Sequence, residues 1–129
     1  MSSVVGVGVD LCEVERLRRT LARTPGFALR VYTEAERAHC DRRRDPAEGL
    51  AARFAAKEAV LKAMGRGLGA CNFRDIEVVR ASTGAPSLVL HDTAARLAAD
   101  HGVTDWKLSL THTATMAEAV VIALADRPL

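Results

Sequence analysis

Residues 4–10 read Val4-Val5-Gly6-Val7-Gly8-Val9-Asp10, an alternation of period two that puts Val5, Val7 and Val9 on one face and Gly6, Gly8 and Asp10 on the other. A strand face stripped to two glycines has no side chains to hold a neighbour away, so another backbone or a ligand must come close there. Asp10 stands at the end of that bare face. Helical spacing follows at once. Val14, Leu17 and Leu21 recur at i, i+3 and i+7, while Arg16, Arg19 and Arg23 repeat the same step on another face. Thr24-Pro25-Gly26 ends this helix.

Thr33-Glu34-Ala35-Glu36 has the form of a capping box and predicts a short helix to about His39. After a charge-dense loop at 41–45, Asp45-Pro46-Ala47-Glu48 supplies a capping acid, a proline at the first helical position and a further acid. It opens the longest helix, which runs to Met64 and stops at Gly65. The second half reads mostly as sheet. Strands are expected at 76–80 and 87–90 around the turn at 81–86, then a helix from Asp92 to about Asp100, ended by Gly102. Trp106, Leu108 and Leu110 alternate with polar residues as in a half-buried strand, and residues 117–124 are apolar on both faces, as in a central one. The expectation is one α+β domain over residues 1–129, an antiparallel sheet packed against two or three helices.

Composition narrows the function. Aromatic residues make up 4%, too few for the stacking platforms of single-strand binders. The formal charge of +2 is too small for a generic nucleic-acid binder. Cys12, Cys40 and Cys71 form no C-x-x-C pair, which argues against a disulfide framework or structural zinc and suits a reducing cytosol. The first residues lack the basic stretch of a signal peptide, and no apolar run is long enough to span a membrane. A cytosolic enzyme or binding module is expected.

Two acids stand out. Glu58 falls within the stripe formed by Leu50, Phe54, Leu61 and Met64 on the long helix, where a carboxylate is costly unless something compensates its charge. It either pairs with Lys62 at i+4 or ligates a metal, with Lys57 and Lys62 beside it to hold an anionic substrate. Asp10 either caps the following helix or is a second metal ligand. Two such acids suit Mg²⁺, which takes one or two protein carboxylates and fills its other positions with water and phosphate oxygens. His112, between Thr111 and Thr113 at a strand end, is set well for phosphate oxygens. The cysteines have no evident base nearby, and the Gly6-x-Gly8 pair lacks the third glycine of a dinucleotide fingerprint.

The segment from Gly6-Val7-Gly8-Val9-Asp10 to Arg16 resembles the opening motif of the holo-acyl-carrier-protein synthases, the small 4′-phosphopantetheinyl transferases. Arg53-Phe54-Ala55-Ala56-Lys57-Glu58-Ala59-Val60-Leu61-Lys62-Ala63-Met64-Gly65 resembles their second motif. Gly84-x-Pro86 and Leu108-Ser109-Leu110-Thr111-His112-Thr113 are similar to the third and fourth. The resemblance implies the 4′-phosphopantetheinyl transferase-like fold and transfer of the phosphopantetheine arm from coenzyme A to a serine of an apo-carrier protein, with adenosine 3′,5′-bisphosphate released. It implies Mg²⁺ on Asp10 and Glu58, which serve catalysis, and coenzyme A bound around Arg53, Lys57, Lys62, Gly65, Gly84, Pro86, Thr111 and His112. It also implies a homotrimer with the site between subunits. An acidic carrier would meet the basic face of Arg16, Arg19 and Arg23. Two alternatives stand beside this: a transferase dedicated to polyketide or peptide synthase carriers, and a non-catalytic coenzyme A- or nucleotide-binding module.

Overall fold

A computed structural model describes residues 1–126, so the last three residues of the expected 1–129 domain lie outside the described residues. The elements run β1 (Ser2–Glu13), α1 (Val14–Arg23), α2 (Phe27–Val31), α3 (Glu34–Asp41), α4 (Ala47–Ala63), β2 (Ile76–Arg80), β3 (Pro86–Leu90), α5 (Asp92–Asp100), β4 (Asp105–His112) and β5 (Met116–Asp126). The mixed α+β class with antiparallel pairing is as expected. The expected single sheet, however, is divided into a three-stranded sheet ordered β1-β5-β4 and a two-stranded β2-β3 ribbon. β5 is central, as its two apolar faces required. No described helix is long and apolar enough to cross a membrane.

The bare face of β1 meets a backbone. A Cβ at Gly6 would stand 1.7 Å from the Ala63 carbonyl oxygen, and one at Gly8 1.9 Å from that of Ala59. Alanine makes the same approach possible from the other side. Ala51, Ala52, Ala55, Ala56, Ala59 and Ala63 are all buried, so α4 is enclosed almost all round where a single stripe was expected. Register against β5 shifts between Val4 and Gly6, a bulge that sets which face the following residues present. Beyond it Gly6, Gly8 and Asp10 face α4. Val7, Val9 and Leu11, at 57%, 46% and 58% exposure, lie on the opposite face opposite Ile122, Val120 and Glu118.

The capping box at Thr33 is formed, with Glu36 N donating to Thr33 Oγ1 at 3.1 Å and Thr33 N to Glu36 Oε1 at 2.9 Å. Glu36 does more than cap. It is wholly buried and accepts from Lys57 Nζ at 2.9 Å and from Val78 N at 3.0 Å, so one carboxylate ties α3 to α4 and β2. Asp45 accepts from Ala47 N at 3.0 Å at the start of α4. At α5 the capping position belongs to His91, and Asp92 is the first helical residue with φ of 36°.

Candidate functional site

Asp10 and Glu58 come together. β1 carries the first and α4 the second, and both face a cleft of about 580 Å³ whose other walls include Arg16, Leu17, Phe27, Phe54 and Leu68. Neither of the simpler expectations holds. The cap position of α1 is Glu13, with no side-chain cap bond, so Asp10 does not cap that helix. Lys62 reaches past Glu58 and donates to Asp10 Oδ1 at 2.6 Å and to Val9 O at 3.2 Å. Burial pushes the Glu58 carboxyl above its ordinary range, and the charge of Asp10 pushes it further, with Lys62 and Arg16 opposing. Cys12, in the same cleft, is raised to about 11 by burial and by both acids, so it stays a thiol.

Among the described residues there is no group of three or more His, Cys, Asp or Glu placed for a metal. Two carboxylates on one cleft are nonetheless a donor set that a hard cation accepts when phosphate oxygens complete its shell. Glu58 is desolvated, repelled by Asp10 and, among the described residues, without an ion pair, so a cation between the acids offsets both penalties. The residues fit Mg²⁺.

The basic candidates divide. Arg53 is buried and lines a separate cavity of about 130 Å³ together with His112, Arg43, Arg80 and His39. Its Nη1 donates to Gly49 O at 3.3 Å and its Nε has no partner among the described residues. His112 Nδ1 lies 3.6 Å from Glu48 Oε1. Five positions along α4 turn a side chain through about 140°, which is why Arg53 and Glu58 open into different clefts.

Lys57 departs from expectation. It is wholly buried, and its three donors go to Glu36 Oε1, Phe73 O and Ile76 O, leaving none for a ligand in this structure. Thr111 and His112 are also parted by the strand pleat. Thr111 pairs with Glu118 on the open face, and His112 pairs with Ala117 on the face turned to the helices. Gly65, at φ 67°, ends α4 beside a third cleft with Val5, Met64 and His101. Gly84, at φ 88°, forms the β2-β3 turn and accepts from Arg80 Nη1 at 2.7 Å, and Pro86 opens β3. Arg16, Arg19 and Arg23 are exposed along α1, whereas Arg18 is held by Glu15 and Asp45.

Sequence reasoning missed His39, Arg43 and Arg80 as neighbours of Arg53. They come from α3, the loop after it and β2, and no local spacing links them.

The pattern of the 4′-phosphopantetheinyl transferase superfamily matches residues 6–125. A holo-[acyl-carrier-protein] synthase of Moorella thermoacetica is 47% identical over 115 residues, covering 89% of this chain and 90% of that one. One from Frankia casuarinae is 49% identical over 121 residues, covering 94% and 98%. Among solved structures, a holo-(acyl-carrier-protein) synthase from Bacillus anthracis in complex with CoA (3′,5′-ADP) superposes with a TM-score of 0.79 at 32% identity, covering 95% of this chain and 98% of that one. With a matching fold, near-complete coverage and the acid pair in one cleft, the chain belongs to the 4′-phosphopantetheinyl transferase superfamily, among its holo-acyl-carrier-protein synthases.

Proposed function

We propose that the chain, with Mg²⁺, moves the 4′-phosphopantetheine arm of coenzyme A onto a serine hydroxyl of an apo-acyl-carrier protein and releases adenosine 3′,5′-bisphosphate. The observation that carries this reading is Asp10 and Glu58 on the wall of one cleft, with Lys62 donating to Asp10 at 2.6 Å. Transfer of this kind needs charge neutralisation and positioning more than covalent chemistry. Mg²⁺ held by Asp10 and Glu58 would polarise the pyrophosphate and stabilise the leaving phosphate. The serine oxygen bonds to the pantetheine-side phosphorus, and the bridging P–O bond to the nucleotide breaks. The serine proton passes to Glu58 or to a water that Glu58 holds beside the cation. Lys62, bonded to Asp10, is a donor that can turn to a phosphate, and Arg16 lines the cleft while Arg19 and Arg23 continue its exposed face along α1, a face suited to an acidic carrier.

Assembly as a homotrimer completes the picture. One chain holds the acids and the Arg53–His112 cations in different clefts, so a neighbour that brings its basic cavity to the acid cleft makes a whole site. The surface available for association is not the glycine face, which α4 covers, but the apolar face of Val7, Val9 and Leu11. Incubation with coenzyme A, Mg²⁺ and a panel of apo-carriers, read by intact mass, tests the reaction. An added phosphopantetheine arm supports it, and unchanged carriers throughout would refute it. Sedimentation of wild type and Val9→Lys tests the assembly, with a fully active wild-type monomer as the contrary result.

A further inference from the structure

The cavity at the junction of α3, α4, β2 and β4 is built to hold negative charge. Arg43, Arg53 and Arg80 line it with His39 and His112, and among the described residues the one acid paired with any of them is Glu48, 3.6 Å from His112. Arg53 is 3% exposed, and its Nε has no hydrogen-bond partner among the described residues. A buried guanidinium nitrogen left so is costly unless an acceptor arrives. Gly49 lets α4 close on Cys40, since a Cβ there would lie 2.9 Å from Cys40 Sγ and 3.6 Å from Arg53 Nη1.

His39 is a titratable member of this cluster enclosed by cationic side chains. From its own end of α3 it faces Arg42 and Arg43, from α4 Arg53, and from β2 Arg80, with His112 across the cavity on β4 and Glu48 beyond it. We propose that His39 is a proton-linked part of a phosphate site, neutral while the cavity is empty and protonated when a phosphate monoester fills it. The sign follows from the neighbours. Burial and four arginines hold the empty-state imidazole below its usual value. A phosphate among the same groups reverses the dominant field and favours the imidazolium. Occupation therefore takes up a proton near neutral pH, and affinity grows as pH falls through the window between the two titrations. The inference rests on the coenzyme A reading for the source of that phosphate, and makes His39 a specificity residue for its charge.

The experiment is an NMR titration of the His39 imidazole in the full chain, alone and saturated with adenosine 3′,5′-bisphosphate, and again with inorganic phosphate. The resonance is assigned by its loss in His39→Asn. His39 should titrate below about 6.5 when free and about one unit or more higher with either probe. Binding of the bisphosphate should tighten about three- to fivefold more in wild type than in His39→Asn between pH 8 and pH 6. The variant retains the ligand's own phosphate titration near pH 6, so the difference isolates His39. A shift with the bisphosphate alone places a nucleotide phosphate there; a shift with both places any phosphate. Tight bisphosphate binding with an unmoved His39 titration overturns the proposal and leaves the transferase reading intact. Failure of coenzyme A and both probes to bind wild type overturns the two together.

Discussion

Lys62 donates across the β1–α4 contact to Asp10 at 2.6 Å, while Glu58, one turn earlier on the same helix, forms no ion pair among the described residues. One lysine thus serves two acids unequally. Asp10 raises the proton affinity of Lys62 by accepting its hydrogen bond, and it raises that of Glu58 by repulsion.

Glu58→Gln should separate stability from turnover. The folded-state carboxyl sits above its unfolded value, so the ionised form costs stability at neutral pH, and that cost fades as pH falls through the folded value. The variant is expected to melt at the same temperature as wild type or higher at pH 7–8, yet to lose about 100-fold or more in kcat. Asp10→Asn should lose turnover similarly, and the double variant little more than either single one. Melting curves with and without Mg²⁺, beside single-turnover rates, check this. Active variants would refute the shared site.

Lys62→Ala removes the cation that holds Glu58 down. The acid limb of the pH profile for kcat/KM should move to higher pH, and the KM for coenzyme A should rise far more than that for the carrier. An unmoved limb would show that Glu58 is not the titrating group.

Gly8→Ala places a methyl 1.9 Å from the Ala59 carbonyl oxygen, where only main chain could give way. A loss of about 3 kcal/mol or more in urea unfolding is expected, at the upper end for overpacking.

Lys57→Met leaves Glu36 buried without its cation. Breaking such a pair costs about 3–5 kcal/mol, whereas Lys57→Met with Glu36→Leu should recover part of it. Denaturant unfolding of the single and double variants measures the difference. A direct coenzyme A ligand at Lys57 would instead show as lost affinity with stability kept.

Arg16→Glu should raise the KM for an acidic carrier, and added salt should do the same to wild type by screening. A salt-independent KM would remove this face from docking.

Much of this was legible in the chain. The Gly6–Gly8 alternation anticipated the close approach of a backbone or a ligand, without saying which, and the box at Thr33 and Glu36 anticipated a cap that is present. Local spacing could not give Lys57 its place. Lys57 and Glu58 are about 100° apart on the helix, and the residue that claims Lys57 is Glu36, far away in sequence. Nor could it find α2, five residues held by Phe27 packing on Tyr32 and Phe54 and not by periodicity. The turn at Thr24-Pro25-Gly26 read as an ending, and Gly26, at φ 83°, begins α2.

Where Gly6 and Gly8 lie under the carbonyls of Ala63 and Ala59, strand and helix touch main chain to main chain, and the two acids are mounted on either side of that seam. A gap set by side chains drifts whenever a core residue changes size, but a gap set by peptide groups has no such adjustable shim. The chain can therefore accumulate substitutions through the rest of its interior, gaining or losing stability, while the spacing of its chemistry stays fixed.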